Sequence, residues 1–147
     1  MQKATFGSRA IAWFGDLLAM VAIATIISFI LGPLIGLTGG RDSSFLGAIS
    51  ALLAVIWVVL LLLLQFLYFG YFWSNNGQSL GMRWLHIRVV RQDKKEELSF
   101  MRAALRGSVG YWISALVFYI GYLWALWDQE SEAWHDKIFD TWVVQTK

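Results

Sequence analysis

The chain of 147 residues has no cysteine, a single proline and only two histidines. Without cysteine there is no disulfide, no thiol nucleophile and no thiolate metal site. His86 and His135 lie too far apart for a paired zinc motif such as HExxH, so no structural zinc site is expected. Charge is scarce too. It makes up 15% of the residues, against about 25% in a typical soluble domain. Three stretches lack it altogether: those between Asp16 and Arg41, between Asp42 and Arg83, and between Arg106 and Asp128. Also missing are a serine elbow, a phosphate-binding glycine loop, a haem motif and a nucleotide fingerprint. These absences predict a protein that is not an enzyme and carries no cofactor.

What is present is apolar: 58% of the chain is hydrophobic. Each uncharged stretch can hold a helix of roughly 20 residues, the length that crosses a hydrocarbon core of about 30 Å. The expected fold is therefore all-α: a small polytopic membrane protein with three transmembrane helices, forming a single domain over residues 1–147. The spans are placed at residues 11–34, 45–73 and 107–127. Gly32, Pro33 and Gly36 are expected to end the first span. This helix reads as uncleaved and able to serve as the insertion signal. A short loop, Leu37 to Ser44, should follow it. Ser74 to Gly77 is a turn signal after the second span. Leu85 to Val90 has a strand-like alternation, and Ser99 reads as the cap of a helix beginning at Phe100.

The connection from Asn75 to Arg106 is basic, and Lys3 and Arg9 precede the first span. Counting lysine and arginine near the spans puts the N-terminus and this connection in the cytoplasm of a cell-membrane protein. With three straight spans, the first loop and the acidic C-terminus fall on the other side. A kink or a re-entrant third segment breaks that parity. Arg102 and Arg106, four residues apart, share a helix face and are expected to meet anionic lipid. The basic connection has no nucleic-acid-binding motif, so no nucleic-acid partner is expected. Trp73, Trp84, Trp124 and Trp127 fall near span ends, at headgroup level. Trp57 and Trp112 are expected to pack against protein.

Two acids stand out. Asp16 lies inside the first span, where a carboxylate must face protein or water or carry a proton. Arg9 is almost two turns earlier on a similar face, within reach of a carboxylate. The other acid is in Trp134-His135-Asp136-Lys137, near Asp140-Thr141. This cluster reads first as a helix cap or tail anchor, because adjacent helical residues do not face each other. Gly110 with Ser114, and Gly121 with Ala125, are small pairs that permit close helix approach.

These residues resemble the RDD family of membrane proteins, named for one arginine and two aspartates. The resemblance runs through Arg9-Ala10-Ile11-Ala12-Trp13-Phe14-Gly15-Asp16, Gly77-Gln78-Ser79-Leu80-Gly81-Met82-Arg83, Ile87-Arg88-Val89-Val90 and Leu98-Ser99-Phe100-Met101-Arg102-Ala103. It closes on His135-Asp136-Lys137 and Thr141-Trp142-Val143-Val144. It covers roughly Phe6 to Val144 and identifies Arg9, Asp16 and Asp136 as the signature residues. Arg83 stands where a lysine is usual. Asp140 stands where glycine or another small residue is usual, a change expected to affect the turn into the tail. The resemblance implies either a monovalent cation/proton antiporter or an accessory membrane subunit. Asp16 would exchange protons and cations in the first case, and three helices would require a homo-oligomer. In the second, Arg9, Asp16 and Asp136 would fix packing in a larger membrane complex. The short chain and the nearly all-apolar second span favour the structural or assembly subunit. Its expected partners are membrane lipids and other membrane protein subunits or copies of itself.

Overall fold

The computed structural model describes residues 1–39, 44–93 and 95–146. Gly40 to Ser43 of the expected first loop, Lys94 of the basic connection and Lys147 lie outside the described residues. The first helix, α1, spans Phe6–Thr38 and α2 spans Ser44–Asn75. At about 1.5 Å per residue each is close to 50 Å long, more than the hydrocarbon core requires. Thr5 caps α1 by accepting the Ser8 N–H at 3.2 Å. Pro33 lies inside α1 without ending it. The expected end near residue 34 is thus passed by one turn, as happens where an apolar helix has no solvent competing for its backbone.

Both helices are long and apolar enough to cross a membrane. Ile26, Phe29 and Ile30 of α1 and Val55, Leu62 and Leu63 of α2 remain exposed. Such a surface is unfavourable in water and natural in lipid. Trp57 donates to Ser28 Oγ at 3.1 Å and ties the two helices together.

Beyond α2 come α3 (Leu80–Trp84) and β1 (Ile87–Arg91). The third apolar segment is not one straight helix. It comprises α4 (Phe100–Leu105), a π-helical turn (Arg106–Gly110), α5 (Tyr111–Leu116), α6 (Ile120–Leu123) and a 3₁₀ turn (Trp124–Leu126). Its two arms meet at 104°. Phe118 and Tyr119 adopt φ of 46° and 61°, which no helix continues through. The expected straight span over 107–127 is therefore corrected to a bent segment.

The bend decides where the tail goes. The tail forms α7 (Trp134–Ile138) and β2 (Thr141–Gln145). β2 pairs antiparallel with β1, from Ile87 opposite Gln145 to Arg91 opposite Thr141. Its other edge meets the N-terminus: Ala4 donates to Val143 at 2.9 Å and Gln145 donates to Gln2 at 2.9 Å. The expectation of an all-α fold is corrected by this small sheet. The expectation of a C-terminus on the far side is corrected too, because N-terminus, connection and tail share one end. The turn into β2 passes through Asp140 at φ 49°. That conformation favours glycine, which gives the sequence departure at this position its physical meaning.

The core sits at the same end. Phe69, Trp73, Ile87, Val89, Ala103 and Val143 pack together, with Tyr68 and Tyr111 at its margin. Trp73 is completely buried, not at headgroup level. Trp84, Trp124 and Trp127 are exposed.

Candidate functional site: two buried carboxylates and an arginine pair

Asp16 is buried in α1, beside the short helix α3. Its neighbour Gly15 makes this approach possible: a Cβ there would lie 3.1 Å from Gly81 Cα. On the other side, a Cβ on Gly81 would fall 2.0 Å from the Ala12 carbonyl oxygen. With both backbones in contact, Asp16 accepts from the Gly81 N–H at 2.8 Å and from Ser79 Oγ at 2.5 Å. Tyr68 of α2 donates its hydroxyl to the same carboxylate at 2.8 Å. Asp16 thus joins α1, α2 and α3 through three neutral donors. The expected approach of Arg9 to this carboxylate does not occur.

Arg9 reaches the tail instead. It donates to Asp136 and, through Nη1, to the Ser131 carbonyl at 2.7 Å. Asp136 was expected at the opposite membrane face from Arg9; the bend at Phe118 and Tyr119 brings the two into contact. The other oxygen of Asp136 accepts from Arg106. Asp136 also accepts the Ala133 N–H at 3.1 Å, capping its own helix α7. One carboxylate therefore ties the start of α1, the third segment and the tail together.

Arg106 lies in the core and not on the surface that its spacing from Arg102 suggests. It was expected to face lipid, yet it is only 1% exposed. Its Nε donates to Thr141 Oγ1 at 2.9 Å, and its guanidinium lies 4.5 Å from the Trp73 ring centroid. The π-helical turn that begins at Arg106 sets this position. Gly107 packs so tightly on Phe69 that a Cβ would fall 2.3 Å from Phe69 Cβ. Gln65 of α2 donates its Nε2 to the Gly107 carbonyl at 2.8 Å and accepts the Trp112 indole N–H on Oε1 at 3.1 Å. An α-helical register through residues 102–106 hides this displacement; the only sequence trace is the cluster Gly107, Ser108 and Gly110. Arg102, by contrast, is half-buried on α4.

Beside the ion cluster Ser114 and His135 are both buried. Ser114 Oγ lies 3.0 Å from His135 Nδ1, and the His135 ring lies against Tyr111 and Tyr122. Burial pushes the His135 imidazole down to about 3, and the Arg106 and Arg9 guanidiniums add to this against the opposing pull of Asp136. It is neutral at physiological pH. Burial alone would raise the Asp136 carboxyl, but the Arg9 and Arg106 guanidiniums hold it well below the usual carboxylate range. At the surface, Lys3 pairs with Glu130, and Lys137 pairs with Asp128. The acids of the tail are thus spent partly on the N-terminus.

Of the signature residues, Arg9 and Asp136 are in contact and Asp16 forms a separate centre. Among the described residues no group of three or more histidines and acids is arranged to hold a metal ion. Gly121 and Ser114 do make a close approach, but within this chain, where α6 folds back on α5. No curated protein and no solved structure matches the chain. The family model described as the RDD family matches residues 3–140, which include Arg9, Asp16, Arg106 and Asp136. That match takes in nearly the whole chain, and the chain belongs to the RDD family.

Proposed function

We propose that this chain is a structural or assembly subunit of a larger membrane complex. The carrying observation is how its two buried carboxylates are used. Asp16 spends its oxygens on three donors from α2 and α3. Asp136 spends its oxygens on two guanidiniums and a backbone N–H. Both act as fixed ties between segments distant in sequence, and neither has the loosely held oxygens that a cation would displace. The long apolar faces of α1 and α2, left uncovered by the chain itself, supply area for lipid and for neighbouring membrane subunits. The N-terminus, basic connection and tail would face the cytoplasm by the distribution of lysine and arginine.

The competing reading is cation/proton exchange through Asp16. It is motivated by a carboxylate at membrane depth. The two are separated by purification in a mild detergent followed by flux measurements on the same sample. The assembly reading expects a stoichiometric complex, and no sodium-dependent proton flux from the chain alone in sealed proteoliposomes. Robust flux from the isolated chain, lost in a folded Asp16→Asn variant, would overturn it in favour of exchange.

A further inference from the structure

The ion cluster opens on a cavity of about 190 Å³ between the start of α1 and the returning third segment. Its walls are mostly apolar and aromatic: Trp13, Met82, Tyr111, Tyr122 and Val143 contribute. Arg9 and Arg106 also line it, while Asp136 and Asp16 do not. A comparable apolar cavity of about 150 Å³ accommodates a benzene-sized guest, so there is room here for more than water.

The charge balance of the lining is uneven. Two guanidiniums share the single carboxylate of Asp136, and His135 is neutral. Arg106 Nη1 is buried with no hydrogen-bond partner. A buried guanidinium N–H without an acceptor is costly, and an oxyanion is the group that satisfies it best. Apolar walls beside a positive, under-satisfied donor fit one kind of guest: a molecule with an anionic head and a hydrocarbon chain.

We propose that this cavity binds an anionic amphiphile, its oxyanion on Arg106 and Arg9 and the first methylenes of its chain against Trp13, Tyr111 and Tyr122. The shared headgroup chemistry is a carboxylate or phosphate, and the chain is what separates this guest from a free anion. The site does not depend on the assembly reading; it would be present whether or not the chain has protein partners.

The test is binding of dodecyl phosphate to the full chain in neutral maltoside micelles, followed by tryptophan fluorescence. Dodecanol and inorganic phosphate are the matched controls. Saturable binding of dodecyl phosphate at least tenfold tighter than either control is expected. Ala10 lines the cavity and is exposed. Ala10→Phe should therefore take up cavity space, leave the thermal unfolding unchanged and weaken binding at least tenfold. Arg106→Lys, if folded, should weaken dodecyl phosphate while leaving dodecanol unaffected. Equal binding of dodecanol would make the site merely greasy, and equal binding of inorganic phosphate would make it a bare anion site. Either result overturns the proposal, as does wild-type protein that does not saturate or an Ala10→Phe variant that binds as before.

Discussion

Replacing Asp136 with asparagine removes one charge and almost no volume. In the native protein that carboxylate is 1% exposed and stands between Arg9 and Arg106. The amide keeps one acceptor oxygen and turns an NH₂ group toward a guanidinium. Arg106 then remains buried without its counter-charge, and α7 loses the cap on the Ala133 N–H. Removing one partner of a buried ion pair costs about 3–5 kcal/mol. That is a large share of a total folding stability of roughly 5–15 kcal/mol. The assay is equilibrium unfolding in mixed micelles titrated with dodecyl sulfate and followed by tryptophan fluorescence. A second variant separates the lost charge from a general disturbance. Arg106→Met combined with Asp136→Asn removes both buried charges and leaves Arg9, whose side chain is 14% exposed and can reach water. The pair should recover more than half of the loss, because the orphaned guanidinium is gone. If Asp136→Asn costs less than about 1 kcal/mol, or the double variant is no better than the single one, the ion cluster is not the tie described above.

The remaining predictions concern pH, packing and topology. Burial holds the His135 imidazole near 3, against 6.5 in the unfolded chain. The unfolded state therefore takes up a proton first as pH falls, and stability present above pH 6.5 is lost between there and pH 3. From pH 7.5 to pH 5 the loss should be about 1–2 kcal/mol, and His135→Gln should flatten this slope; an unchanged slope in that variant rules His135 out as its source. Asp136 has the same sign in a lower window: its contribution is complete above about pH 4, the unfolded carboxyl value, and declines in stronger acid. Gly81→Ala forces a methyl onto the Ala12 carbonyl and should cost about 1–3 kcal/mol in the same unfolding assay; a neutral result would mean that α1 and α3 do not touch as described. The chain has no native cysteine, so single cysteines at Glu96 and Gln145 can be labelled with an impermeant maleimide. Both should react from the same side of sealed vesicles, whereas labelling from opposite sides would restore three straight spans. Asp140→Gly relieves a left-handed residue and should raise stability by up to about 1 kcal/mol, with a loss counting against the strained turn.

Much of the local organisation can be read from residue order. Two uncharged stretches of sufficient length make α1 and α2, and the boundaries of α2 near residues 45 and 73 follow from polarity alone, whereas α1 runs beyond both expected ends. The alternation over Leu85 to Val90 anticipates the strand Ile87–Arg91 to within two residues, and Ser99 marks the helix start at Phe100, though its side chain makes no capping hydrogen bond. The signature arginine and aspartates are visible as charges in or beside apolar sequence. Hydropathy has no handedness and no partner list, however. It gives a third apolar segment and is silent on the bend at Phe118 and Tyr119, because nothing in those residue types demands positive φ.

The partners of each charge were decided only by that bend. Arg9 lies near Asp16 by helical spacing, yet Asp16 is taken by Tyr68, Ser79 and Gly81, and Arg9 by a residue more than a hundred positions away. Arg106 looks like a surface residue by its spacing from Arg102, and a single π-helical turn buries it. By itself the sequence determined that this chain belongs in a bilayer and which charges must find company there, since the cost of an unpaired charge in apolar surroundings is a property of the residue. The tertiary structure alone decided which charge answers which, because hydrogen bonds and ion pairs act over a few ångströms and only the folded backbone brings Arg9, Arg106 and Asp136 that close.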